Sequence, residues 1–441
     1  MSAVSATQPQ KRGYRRYWVY LFMLTLIMIN YIDRTAVSIV AKPIATEFDL
    51  SPVQMGYLFS TFLWTYTVCL LPIGILVDRH GPRSISAWGI AIWSVAIMAT
   101  AGAWNLATFV TTRLVMGVGE ATSVPAAGRM IREWAPAGER GTASAIWGTG
   151  SILGSAIGAA TVGAAASEWG WRGAFLVLGV LGFVWLIASL IWLDRPEKVK
   201  WLSDEERRRI LTERGARPNE DVTARGHAGA LGPLLRSPAM WGAMSVHAAS
   251  IYMLYLLMFW MPSYLQTTKH LSIMSTGLYT AAPWAIAVPV AIVFGILSDK
   301  FLNKDGMNVG KRRWPVVGCL LIGALVVFVP MANDMSVILG IFAVALAGIN
   351  AGYSLNTALV TDLVRQPTEI GKAIMLLVLS ANVCGLLAPI VTGYVIQSTG
   401  QYDGGFYIAG VLLVVAAIAV GSLTRRPILE GDDVRALEQV A

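Results

Sequence analysis

Four ionisable residues stand where a chain pays most for charge, in the middle of long apolar runs: Asp33, Arg34, Arg113 and Glu120. A charge near the centre of a lipid-spanning segment costs about 2.5–3.5 kcal/mol on insertion scales, so such groups are kept for binding, proton transfer or pairing. Arg113 and Glu120 are seven residues apart. In a helix that is two turns, so both project from nearly one face about 10 Å apart along the axis. Asn30, Asp33 and Arg34 are spaced by three and four residues, with Tyr31 nearby, and give the first run a polar stripe. Two guanidiniums suit an anion, and two carboxyls suit proton uptake. An ion-pair staple between helices is the structural alternative.

Other chemistry finds no support. The sequence has no phosphate-cradling loop, no His/Cys set at metal-ligand spacing and no nucleophile constellation, which argues against ATP-driven pumping, catalysis and a bound cofactor. Cys69, Cys319 and Cys384 lie inside apolar runs without paired spacing and read as packing residues. The net charge of +8 comes from short basic clusters between apolar runs, not from a basic domain, so nucleic acid is not an expected partner. His247 is a lone histidine, more suited to a neighbour's hydrogen bond than to carrying protons.

The elements that hold the four charges must cross a bilayer. Of the 441 residues, 55% are hydrophobic and only 14% charged, and mean hydropathy is +0.59, too apolar for aqueous cores. Twelve runs are long enough to span, at about 17–41, 53–77, 84–102, 106–128, 142–166, 173–193, 239–266, 275–298, 315–331, 335–358, 371–397 and 403–424. Their length and lack of alternation make them helices rather than barrel strands. The basic stretch ending in Arg15 and Arg16 precedes a long run without a cleavage site, so the first run is a retained span.

Charge in the loops tests this count. With the N-terminus inside, the inner segments hold 29 of the 34 basic residues; the outer loops hold Lys42, Arg172 and Lys269, and Arg34 and Arg113 are intramembrane. Both termini are then cytoplasmic. The organisation expected is a cytoplasmic segment 1–16, a six-helix bundle 17–193, a cytoplasmic linker 194–236, a second bundle 237–424 and a tail 425–441. In the linker, Ser203 to Glu206 form a capping-box pattern opening a short polar helix. The motif Gly74 to Arg79 recurs as Gly295 to Lys300, 221 positions later, so the bundles are related by duplication. Two similar halves place a binding site between them near mid-bilayer.

Gly148, Gly150, Gly154 and Gly158, and Gly385, Pro389 and Gly393, allow close helix approach. Trp147, Trp284 and Met244, Met253, Met258 and Met261 either line a cavity or pack in a core. The loop Asp78-Arg79-His80-Gly81-Pro82-Arg83 is either a state-dependent latch, carried by Asp78, Arg79 and Arg83, or an ordinary basic inner loop.

These residues resemble the major facilitator superfamily over nearly the whole chain, and within it the anion:cation symporter branch of sugar-acid, tartrate, phthalate and hydroxyphenylacetate transporters. The marks are Asn30 to Arg34; Gly74 to Arg83; Arg113, Gly117, Glu120, Ala121 and Pro125; Trp134-Ala135-Pro136 with Glu139-Arg140-Gly141; Gly170-Trp171-Arg172 with Phe175; Asp194 to Lys198; and Trp260 to Leu265. The resemblance implies an all-α polytopic fold of 12 transmembrane helices in two six-helix, pseudo-symmetric bundles. It implies that Arg34 and Arg113 meet the substrate anion, that Asp33 and Glu120 take up protons, and that Tyr31, Tyr66 and Asn382 line the site. Ser151 and Val378 depart from the galactonate-type pattern, where longer amide side chains are expected, so a less hydroxylated carboxylate is as suitable as a sugar acid. Trp147 and Ser151 complete the expected lining.

The function expected is proton-coupled uptake of a small organic anion by alternating access, in a monomer of the bacterial inner membrane. Proton-exchange efflux of drugs or metabolites and a non-transporting membrane sensor are the alternatives. Paired intramembrane arginines count against the first of these.

Overall fold

The computed structural model describes residues 14–214, 231–301, 311–364, 367–425 and 428. Its elements are α1 (Tyr17–Ile39), α2 (Ala41–Glu47), α3 (Pro52–His80), α4 (Pro82–Thr100), α5 (Leu106–Glu120), α6 (Ser123–Trp134), α7 (Arg140–Trp192), α8 (Asp204–Glu213), α9 (Gly232–Arg236), α10 (Pro238–Thr267), α11 (Ile273–Phe301), α12 (Arg313–Gly323), α13 (Met335–Leu363), α14 (Pro367–Thr399) and α15 (Asp403–Leu423). Strands are absent among the described residues. Nine of the described helical runs are long and apolar enough to cross a membrane.

Hydropathy and local signals explain where the helices start and stop. Ser51 and Asn105 build full capping boxes with Gln54 and Thr108, and Asp334 accepts from the amides of Ser336 and Val337. Gly170 has φ 67°, a backbone only glycine adopts without strain, and divides α7 into the fifth and sixth expected spans. Gly81, at φ 87°, makes the tight turn from α3 to α4 in the same way. The fourth expected span is broken after Glu120 into α5 and α6. The ninth continues past Gly323 as a 3-10 helix, Ala324–Met331.

The first half packs α7 against α1 and α4, and α5 against α3 and α4. The second packs α10 against α14 and α15, and α13 against α11 and α12. The span-five glycines serve packing: side-chain carbons at Gly150 and Gly154 would stand 2.6 and 2.5 Å from the Leu24 and Met28 carbonyl oxygens of α1. The repeated Gly295–Lys300 motif lies in α11, where its side chains fall outside the described ones.

The halves meet through α3 on α14 and α7 on α11. Both seams rest on glycine. A Cβ on Gly56 would come within 2.5 Å of the Pro389 oxygen, one on Gly393 within 2.6 Å of the Pro52 oxygen, and one on Gly163 within 3.0 Å of the Gly277 Cα. Phe59 stacks on Phe259 at 5.3 Å and meets Trp260 edge-on at 5.2 Å, and Gln266 Nε2 donates to the Ile39 oxygen at 2.7 Å. These contacts lie at the end where α1 and α10 finish, the end that the charge distribution assigns to the outside.

At the opposite end the linker helix is bolted to the first half. Ser203 accepts from the Glu206 amide at 3.3 Å, half of the expected capping box. The Glu206 carboxylate does not return the bond. It accepts from the Arg15 and Arg16 amides and from Arg16 Nη1. Arg16 also forks onto Glu139 with two 2.7 Å bonds, which hold the Glu139 carboxyl below the ordinary carboxylate range. Trp201 stacks between Trp134 and Trp192, at 5.5 and 4.7 Å.

Candidate functional site

α1, α3 and α5 bring the ionisable residues together. α5 ends at Glu120, and α3 approaches it because Gly117 leaves room for the Phe62 carbonyl and Thr65 Oγ1 donates to the Leu114 oxygen at 2.7 Å. Arg34 Nε donates to Glu120 Oε2 at 2.8 Å, across 86 residues of sequence. Both side chains are buried, Arg34 at 4% and Glu120 at 0% exposure. Asp33, the sequence neighbour of Arg34, is not in this pair. It is buried, and its Oδ1 has no hydrogen-bond partner among the described residues.

Aromatic rings surround Arg34: its guanidinium carbon lies 4.9 Å from the Tyr31 centroid, 4.9 Å from Tyr66 and 5.1 Å from Phe62. Cation–π contacts of this kind favour the charged guanidinium where water is excluded. Arg113 is 0% exposed and lies 5.2 Å from the same Phe62 ring. Its Nη1 points at the Met116 sulfur at 2.9 Å, while Nε and Nη2 have no partner among the described residues. Those two nitrogens form one edge of the guanidinium, the fork that grips a carboxylate with two parallel bonds. Asn30 is likewise fully buried, next to Glu120. Unsatisfied buried donors are costly, so the Arg113 edge stands out among the described residues.

The second half contributes tyrosines rather than charge. Tyr255 of α10 lies within electrostatic reach of Arg34 and Glu120, and Tyr353 of α13 within reach of Tyr31 and Tyr66. Neither was marked by the sequence, because one tyrosine in an apolar span looks like core. Gly385 of α14 seats Tyr255: a Cβ there would come within 2.6 Å of the ring. Gly385→Ala is therefore expected to lower the thermal unfolding temperature of the detergent-purified protein by several degrees, since overpacking costs about 1–3 kcal/mol. An unchanged melting curve in scanning fluorimetry would show that the ring yields freely.

The remaining expected residues distribute unevenly. Trp147 is half-buried with its indole N–H unpartnered among the described residues, Ser151 donates to the Gly148 oxygen of its own helix, and Asn382 is half-buried. No hydrogen bond or ring contact joins these three to the charged group among the described residues. His247 is buried and satisfied: Asn356 Nδ2 lies 2.8 Å from its Nδ1, Thr357 Oγ1 lies 3.3 Å from its Nε2, and its ring packs 3.9 Å from Tyr353. Met253, Met258 and Met261 are core residues, and Trp284 is fully buried.

The loop charges split into separate pairs within the first half. Arg129 Nη1 donates to Asp78 at 3.3 Å, Arg83 donates to Asp194 at 2.9 Å and to the Leu190 oxygen at 2.6 Å, and Arg79 is exposed. Among the described residues these pairs stay within the first half. At the other end Arg172 and Trp171 donate to Glu47, each at 2.8 Å, which holds that carboxyl below its ordinary range. Among the described residues, groups that could hold a metal ion are absent.

Comparison with known proteins gives the family and the fold. The family model described as Major Facilitator Superfamily matches residues 23–353 and 306–439. The protein named Probable galactarate/D-glucarate transporter GudP of Escherichia coli is 30% identical, over 96% of this chain and 98% of that one. The Probable sulfoacetate transporter SauU of Cupriavidus necator is 31% identical, with 95% of each chain covered. A crystal structure of a bacterial homolog to the human lysosomal transporter Spinster superposes with a TM-score of 0.71 at 18% identity, covering 98% of both chains.

Proposed function

The chain belongs to the Major Facilitator Superfamily, is a transporter and not an enzyme, and from that premise we propose that it carries a small organic anion across the membrane together with protons. The observation that carries this reading is the unpartnered Nε/Nη2 edge of Arg113, fully buried beside the Arg34–Glu120 pair. Relatives named for sugar acids and for sulfoacetate share an anionic headgroup, the part of a substrate that this edge fits.

In the proposed cycle Arg113 takes the carboxylate or sulfonate. Protonation of Glu120 removes the charge that occupies Arg34, and Arg34 then turns its guanidinium to the anion. Asp33 is the second proton acceptor. Tyr31 and Tyr66 line the site from the first half, with Trp147, Ser151 and Asn382 along the path to it. Asp78, Arg79 and Arg83 act on the balance between conformations by keeping the inner ends of the first half rigid. A seal at the outer end with a site at mid-depth corresponds to one of the two states that alternating access requires. The unit is a monomer in a bacterial inner membrane with both termini in the cytoplasm, its bundles at 17–193 and 237–424 joined by 194–236.

The test is uptake into proteoliposomes. Labelled D-glucarate and sulfoacetate are expected to accumulate when the outside is made acidic, with accumulation abolished by a protonophore and unaffected by replacing sodium with potassium. Uptake that needs sodium and ignores pH would overturn the proton reading.

A further inference from the structure

Phe62 has no charge and no polar side-chain atom, yet its ring is where the parts of the site meet. Arg34 lies 5.1 Å and Arg113 5.2 Å from its centroid, so one ring is shared by two cations that would otherwise repel each other. The ring is fully buried. Its backbone is fixed to the helix bearing Arg113, since its carbonyl fills the space above Gly117 and Thr65 ties the next turn to Leu114. Its other ring neighbour belongs to the second half: Phe259, at 6.2 Å and 64°. Phe259 in turn stacks on Phe59, which meets Trp260, whose indole donates to the Pro389 oxygen at the α3–α14 seam. A continuous series of ring contacts therefore runs from the two guanidiniums to the outer seal.

We propose that Phe62 is a positioning residue which sets the two arginines around one ring and, through Phe259, ties their charge state to closure of the outer end. The physical basis is that a bare guanidinium holds an aromatic face more strongly than one neutralised by a carboxylate. Occupying Arg113 with an anion, or protonating Glu120 beside Arg34, changes the pull on the Phe62 ring. The ring's seating against Phe259 changes with it. The site is that of the transport reading above, but closure of the outer end can be measured with no substrate present.

Spin labels at Thr46→Cys and Thr268→Cys, exposed positions at the outer ends of the two halves, report that closure in proteoliposomes after the native cysteines are replaced by serine. Phe62→Leu keeps an apolar side chain of similar size and removes the π face. It is expected to shift the ratio of short to long distances by about tenfold toward the long, open form, while Phe62→Tyr stays within about twofold of the unaltered protein. In an Arg113→Gln background, where one cation is gone, the effect of Phe62→Leu should shrink by at least half. An unchanged distance distribution in Phe62→Leu would overturn the proposal. So would an effect of equal size with and without Arg113, because the ring would then act by packing alone. If D-glucarate and sulfoacetate fail to bind the unaltered protein, the transport reading fails, and the distances still decide the role of Phe62.

Discussion

Glu120→Gln is expected to bind its anion and exchange it across the membrane, yet to accumulate it far less than the unaltered protein when a proton gradient is imposed. Glu120 is fully buried and its Oε2 accepts from Arg34 Nε at 2.8 Å. With Glu120 and Asp33 both ionised, the site of two arginines and two carboxylates has no net charge, and an anion gains little there. Each proton that arrives adds one positive charge, so protons raise the affinity for the anion, and the anion raises the affinity for protons by the same factor. An amide keeps the shape and the acceptor oxygen but fixes the state in which Arg34 is uncompensated. Anion binding then no longer needs, or reports, the proton of Glu120, and only the one that Asp33 takes up remains coupled. Counterflow in proteoliposomes measures exchange, and imposed-gradient uptake measures coupling. Accumulation by Glu120→Gln equal to that of the unaltered protein would place coupling elsewhere, with Asp33 the remaining buried acid of the site.

Arg113→Lys is expected to lose about a hundredfold or more in apparent affinity although the charge is conserved. A carboxylate at the Nε/Nη2 edge receives two parallel charge-assisted bonds from a planar group; an ammonium offers a point charge on a flexible stem. The surroundings add to the loss. Arg113 is fully buried against Phe62 and the Met116 sulfur, so a shorter-reaching ammonium is left without its hydration and without a full set of acceptors. Calorimetric titration of the purified variant with D-glucarate and sulfoacetate gives the number. An affinity within a few-fold of the unaltered protein, at equal folding, would mean that the edge does not hold the substrate.

The spans were legible because lipid-exposed length and apolarity leave few alternatives, while the caps at Ser51 and Asn105 and the break at Gly170 came from the structure. The four charges announced themselves by their cost. Their pairing did not. Side chains of consecutive helical residues point about 100° apart, so Asp33 is poorly placed to serve Arg34, whereas Glu120, distant in sequence, meets it directly. Phe62 and Tyr255 were invisible for another reason: a residue type common in cores gives no sign of whether its ring faces a neighbour or a guest. The loop motif showed the converse limit. Asp78 and Arg83 belong to one loop read as either a latch or an ordinary basic inner loop, and their partners, Arg129 and Asp194, are supplied only by the tertiary fold.

The glycine seams have a thermodynamic consequence. Where Gly56 lies against Pro389 and Gly393 against Pro52, and where Gly163 lies against Gly277, the halves touch through backbone and small apolar surface, with Phe59, Phe259 and Trp260 alongside. Closing such a surface removes water from apolar groups, which carries a negative heat-capacity change and a driving force that is mainly entropic near room temperature. Ionic strength has little purchase on it. Temperature does: cooling weakens the hydrophobic part of the closure, so the balance between the two faces of the molecule carries a built-in thermal coefficient set by the bareness of its glycines.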